Sequence, residues 1–145
     1  MKRPTVINYA QNDLFRAADP YHLNACVGWN GGPHGYETYA EGYFAAAEQL
    51  CKAAIRGDEY IDLLIYPVAF NFRHAIELAI KGLLLTLPAI WGETAPLSKT
   101  HKLLDNWNLV KGYLKREPGL NPDGSAIDRI DGILKDFLSI DPEGQ

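Results

Sequence analysis

Arg73, Glu77 and Lys81 stand four residues apart on a stretch that reads as helix, and His74 lies beside the first of them. Side chains at i and i+4 are neighbours on a helix, and Glu before Lys is the favourable order for an ion pair. Two chemistries suit this group. In one, it is a structural ladder of ion pairs on a partly exposed face. In the other, Arg73 neutralises the charge of a phosphoryl group while the imidazole of His74, a proton donor and acceptor, moves protons. His101, in Thr100-His101-Lys102-Leu103-Leu104, opens the next helix and supplies a second imidazole that could face His74. Its local alternative is to cap the helix start or pack under the preceding loop. On the functional reading Arg73, His74 and His101 are the candidate catalytic residues, and Asn71, Glu77 and Lys81 the candidate binding residues.

Other groupings carry less. Arg16 and His22 flank Asp19-Pro20, which breaks a helix, so the two side chains need not share a face. The glycines at 28, 31, 32 and 35 lack the Gly-Lys-Ser/Thr ending of a phosphate-binding loop. His22, Cys26 and His34 have no recognised metal-ligand spacing, and neither a metal nor a cofactor is expected. Trp29, Trp91 and Trp107 read as core or loop anchors, because basic residues do not interleave with them as on a nucleic-acid stacking surface.

The elements that position these residues follow from periodicity. Residues 1–36 form an irregular N-terminal segment, with a short helical stretch expected over 12–18 and a glycine-rich loop after it. Over residues 37–56, Phe44, Ala47, Cys51, Ala54 and Ile55 make one helical face, Glu41, Glu48, Lys52 and Arg56 face solvent, and Gly57 is a natural stop. The next segment, 59–87, is apolar almost all round. Pro67 predicts a short helix up to Tyr66 and a long one with Pro67 in its first turn, a single kinked helix being the alternative. At 100° per residue Phe72, Ala75, Ile76, Ala79, Ile80 and Leu83 spread over about half the circumference, and Phe70, Arg73, His74, Glu77 and Lys81 crowd an arc of roughly 100°. Such a helix is expected in the middle of a bundle, buried on nearly every side, with its polar arc toward a wet cleft or a partner.

Pro88 is expected to end that helix, and Ser98 or Thr100 to cap the next, whose core face is Leu103, Trp107, Val110 and Leu114. After a loop at 117–124, Ser125 is expected to cap a last helix with Ile127, Ile130, Leu134, Phe137 and Leu138 on one stripe. No segment alternates with period two. The expected fold is all-α, a bundle of four to five helices over residues 37–145, in a single domain overall.

The 145 residues are 47% apolar and 22% charged, an ordinary globular composition, and the net charge of −4 excludes a standing basic surface for nucleic acid. Cys26 and Cys51 are too far apart for a CxxC motif and read as reduced packing thiols. Met1-Lys2-Arg3-Pro4-Thr5 lacks the apolar stretch of a signal peptide. The apolar run from Leu63 to Leu87 is interrupted by Arg73, His74, Glu77 and Lys81, which a lipid-spanning helix tolerates poorly. The expected compartment is the cytoplasm, without membrane association.

Leu64-Ile65-Tyr66-Pro67-Val68-Ala69-Phe70-Asn71-Phe72-Arg73-His74-Ala75-Ile76-Glu77-Leu78-Ala79-Ile80-Lys81 resembles the central helix of bacterial proteins of the HEPN-like (higher eukaryotes and prokaryotes nucleotide-binding) domain family. Those carry a tyrosine-proline, then Arg-His or Arg-Gln, then Ile-Glu-Leu and a lysine. Thr100-His101-Lys102-Leu103-Leu104 resembles the family's next helix start, Gly42-Tyr43-Phe44-Ala45-Ala46-Ala47 its first long helix, and Ile140-Asp141-Pro142-Glu143-Gly144 its closing turn. The likeness covers roughly residues 40–144. It implies a helical bundle, often dimeric, among metal-independent ribonucleases, toxins of toxin–antitoxin pairs, antiviral effectors and silent RNA- or nucleotide-binding members. The nuclease members use Arg-x4-6-His, but Leu78, Ala79 and Ile80 occupy the places where histidine would follow Arg73.

Two functions are therefore expected, from different classes. The first is a HEPN-like, RNA-directed protein of a prokaryotic defence or toxin–antitoxin system, acting as an endoribonuclease or as an RNA- or nucleotide-binding effector. In it Arg73, His74 and His101 line a phosphate site oriented by Glu77 and Lys81, with a partner protein encoded nearby. The second is a non-catalytic, dimeric protein-interaction module whose polar stripe is structural. A homodimer is expected on either, because the central helix has more apolar face than one protomer covers.

Overall fold

A computed structural model of the chain describes residues 35–96, 102–116, 119 and 123–140. They fall within the unit His34–Gln145, the second of two into which the chain divides. The fold is an all-α bundle. Its helices are α1, Tyr36–Arg56; α2, Ile61–Ala89; α3, Leu103–Arg116; and α4, Gly124–Ile140; no strand occurs among the described residues. The helical stretch expected over 12–18 and the caps Ser98 and Thr100 lie outside the described residues.

Gly57 stops α1 as its position implies. Its φ of 76° is left-handed, a conformation only glycine adopts without a Cβ penalty. There its N–H reaches the Ala54 carbonyl and that of Asp58 reaches Ala53, satisfying two carbonyls of the last turn. The start of α4 corrects the expected cap: Asp123, not Ser125, is the capping residue. Its Oδ1 accepts the Ser125 N–H at 3.2 Å, and Ser125 Oγ donates to its other oxygen. An aspartate just before the helix outcompetes a serine because its charged oxygen also meets the positive end of the helix dipole.

α2 is one helix through Pro67, the alternative to the expected break there, and it ends at Ala89, one residue past the expected stop at Pro88. Pro67 deprives the Leu63 carbonyl of its donor, but Leu63 and Pro67 both lie on the exposed side, where water can serve that carbonyl. Pro88 sits in the last turn, so it removes a bond only at the end of the ladder. The chain then closes through Ile90 N–H to Leu87 and Glu93 N–H to Pro88, with Gly92 at φ 68°.

α1 and α2 run antiparallel along a seam of small residues, Ala40 and Ala47 against Ala75 and Gly82, all buried. A Cβ built on Gly82 would lie 2.8 Å from Glu37 Oε1 and 3.5 Å from the Tyr36 Cβ, so the first turn of α1 rests directly on α2. The main core is formed by Ile80, Leu84 and Leu87 of α2 with Leu103, Trp107, Val110 and Leu114 of α3 and Leu134 of α4. The α3 face is the expected one, and the α4 stripe packs through Leu134, Ile127 and Ile130.

The surroundings of α2 differ from expectation. Only 17% of its most apolar 18-residue window is buried, and Ile61, Leu63, Ile65, Tyr66, Phe70, Leu83 and Leu85 are exposed. The core cluster draws on α2 only from Ile80 onward, with Ile76 packed at its edge, so α3 and α4 leave the first part of α2 uncovered. Ile55, expected inside on α1, is 85% exposed at the same end of the hairpin. By length and composition α2 is also long and apolar enough to cross a membrane.

Candidate functional site

The polar stripe is folded inward. Glu77 is 1% exposed. Its Oε1 accepts a 2.6 Å hydrogen bond from Lys81 Nζ, and its Oε2 lies 3.7 Å from Arg73 Nη1. The Arg73 and Lys81 side chains are only 12% and 15% exposed, so the carboxylate neutralises two cations in a largely dry place. The site forms because helical spacing stacks residues 73, 77 and 81 over successive turns, on the flank of α2 next to Ile80 and Leu84. Arg73, Glu77 and Lys81, expected to face a wet cleft, are thus covered, while Phe70 on the same arc and Leu63 and Tyr66 one to two turns before it are exposed.

His74, one residue on and about 100° further round the helix, is packed between rings. Tyr43 of α1 meets it edge-on at 4.5 Å, and Phe70 is stacked on it at 5.8 Å with the planes 9° apart. Asn71 points away from the ladder; its side-chain amide donates at 2.7 Å to the Pro67 carbonyl one turn back. The structure therefore brings Arg73, Glu77 and Lys81 together, sets His74 among aromatic rings beside them, and leaves Asn71 on the other side of the helix. His101 lies outside the described residues, as do His22, Cys26 and His34. Among the described residues no group of three or more His, Cys, Asp or Glu side chains could hold a metal ion.

Two further polar clusters were not evident from the sequence. Asp131 of α4 accepts from Lys111 Nζ at 2.8 and 2.9 Å and from Trp107 Nε1 at 2.5 Å, tying α4 to α3. The Lys111 hydrogen bond, and then that of Trp107, holds the Asp131 carboxyl below its usual range. Past the end of α2, Glu93 takes a two-pronged contact from Arg116 at 2.7 and 3.1 Å. The Arg116 guanidinium lies 4.4 Å from the Trp91 ring centre, and Trp91 stacks on Tyr113 at 6.0 Å. This pairing lowers the Glu93 carboxyl and raises Arg116. Trp91 and Trp107 are anchors, as their sequence setting implies. The pairing partners are 20 to 24 residues apart, and no local spacing rule reaches that far.

Across two turns of α2 the Glu77 carboxylate compensates the charges of Arg73 and Lys81. No family model, curated protein or solved structure matches the chain.

Proposed function

We propose that this chain is a cytoplasmic, non-catalytic protein-interaction module, in which the Arg73–Glu77–Lys81 ladder is scaffolding and the exposed apolar first part of α2, residues 61–70, is the working surface. The observation that carries this reading is an inversion: the charged side chains that could grip phosphate are turned inward against Glu77, while Ile61, Leu63, Ile65, Tyr66 and Phe70 face out. Monomeric domains seldom expose that much contiguous apolar surface without a partner for it.

A second reading is favoured by the adjacency of Arg73 and His74 and by the HEPN-like resemblance of the surrounding helix: an RNA-directed protein of a defence or toxin–antitoxin system. One paired measurement separates the two. On the first reading Arg73→Ala lowers the thermal midpoint, because it leaves the buried Glu77 facing one cation fewer, and the wild type neither retains nor cuts single-stranded RNA. If the wild type binds or cleaves RNA and Arg73→Ala abolishes this at an unchanged midpoint, the scaffold reading is wrong and the RNA-directed one stands.

A further inference from the structure

α2 carries a second pattern, independent of the ladder. Ile61 and Leu83 lie eleven residues either side of Phe72, and Ile65 and Ala79 lie seven either side. Seven residues turn a helix about 20° short of two turns and eleven about 20° past three, so all five side chains lie within roughly 20° of one line. The row is about 33 Å long. No charged residue interrupts it.

Its two halves have opposite relief. Beyond Phe72, Ile76, Ala79 and Leu83 floor a groove of about 520 Å³ whose walls are Phe44 of α1 and Ile133 and Phe137 of α4. Every side chain lining this groove is apolar. Before Phe72, Ile61 and Ile65 stand exposed on a stretch of helix that α3 and α4 do not cover. A ridge and a groove thus sit on one row at mirrored distances from its centre.

We propose that α2 pairs antiparallel with α2 of a second copy about a two-fold axis at Phe72, so that Ile61 and Ile65 of each protomer enter the other's groove. This names the partner of the interaction module and rests on that reading. In this register Ile65 meets the partner's Ala79, Ile61 meets the partner's Leu83, and Phe72 meets the partner's Phe72. The small side chain of Ala79 leaves room for the isoleucine. A dry cavity of ~150 Å³ takes one benzene, so the groove accommodates about three aliphatic side chains. A foreign helix or a small apolar ligand would need the groove alone. Only self-pairing needs the ridge at the matching distance on the same row, since an isologous interface must be complementary to itself. The absence of charge along the row also means that the two-fold brings no like charges together.

The full chain tests this in two steps. Light scattering at micromolar concentration should return the mass of two chains, and Ile65→Glu should weaken the dimer by about a hundredfold or more while leaving the helical circular dichroism intact, since that position is exposed in the single chain. In a background carrying Cys26→Ser and Cys51→Ala, chains with Ile65→Cys mixed with chains with Ala79→Cys should form an inter-chain disulfide on mild oxidation, and Phe72→Cys should couple to itself. A wild-type mass of one chain overturns the pairing. So does a dimer in which the Ile65→Cys and Ala79→Cys chains do not couple. The RNA and melting measurements decide the broader reading without reference to mass, so a monomer overturns this pairing alone.

Discussion

Replacing Glu77 by glutamine keeps the shape of the side chain and removes the one negative charge between Arg73 and Lys81. The carboxylate lies 2.6 Å from Lys81 Nζ and 3.7 Å from Arg73 Nη1, at a position 1% exposed. At an effective dielectric of about 20, an opposite-charge pair at such a separation is worth about 4 kcal/mol, so two attractions of that order are lost. Against this, the fold no longer has to desolvate a carboxylate, which saves several kcal/mol. What remains is the cost of two cations held close together out of water, about 3–5 kcal/mol, as for other buried pairs broken on one side. For a chain of this length the thermal midpoint should fall by on the order of ten degrees. The assay is circular dichroism melting of wild type, Glu77→Gln, and a variant in which Arg73→Met, Glu77→Leu and Lys81→Met are combined. The triple variant removes all three charges of the ladder together, so it should melt well above Glu77→Gln. A Glu77→Gln midpoint within about 2 °C of wild type, or a triple variant that falls as far as the single one, would refute the reasoning.

Asp131 makes stability depend on acid. Its carboxyl is held below the usual aspartate range in the folded chain, first by Lys111 and then by Trp107. Its contribution is therefore complete above that ordinary range and is lost as pH falls through the lower folded value. The urea-midpoint gap between wild type and Asp131→Asn should be constant at neutral pH and close below about pH 4; a gap that persists unchanged at the acid end would count against the pairing. Gly57→Ala forces a side chain into the left-handed conformation that ends α1 and should cost about 1 kcal/mol, read from a urea titration.

How far the sequence could be read depended on the range of each interaction. The faces of α3 and α4 follow from 3.6-residue spacing, and residues such as Leu103, Trp107, Val110 and Leu134 are buried as that spacing requires, whereas α1 buries Ala47 of its expected face and leaves Phe44 and Ile55 exposed. The ladder on α2 was legible for the same reason, since Arg73, Glu77 and Lys81 meet through one helix. Spacing assigns residues to arcs but does not say how far along a helix its neighbours reach. For that reason α2 was expected to lie buried with a wet polar arc, while its Glu77 is covered and Tyr66, eleven residues earlier on nearly the same line, is 80% exposed. Pro67 left a break and a continuous helix both open, because its penalty depends on whether the carbonyl it leaves without a donor is reached by water, a property of the assembled surface. Asp131 with Trp107 and Lys111, and Glu93 with Arg116, join separate helices, so neither could be anticipated from local pattern.

The tie between α4 and α3 also bears on how the molecule opens. Of α4, only Leu134 is fully buried, and its polar link to α3 is a single carboxylate shared by Trp107 and Lys111. Elements secured by so few interactions open separately, below the free energy of global unfolding. Amides of residues 124–140 should accordingly exchange with deuterated solvent ahead of those in the Ala75–Gly82 seam, and acid, by protonating Asp131, should widen the difference. Since Ile133 and Phe137 form one wall of the apolar groove, each such opening removes that wall and lays the row along α2 bare to whatever is at hand, including a misfolded neighbour. The least secured helix of the bundle is therefore also the one that guards its most aggregation-prone surface.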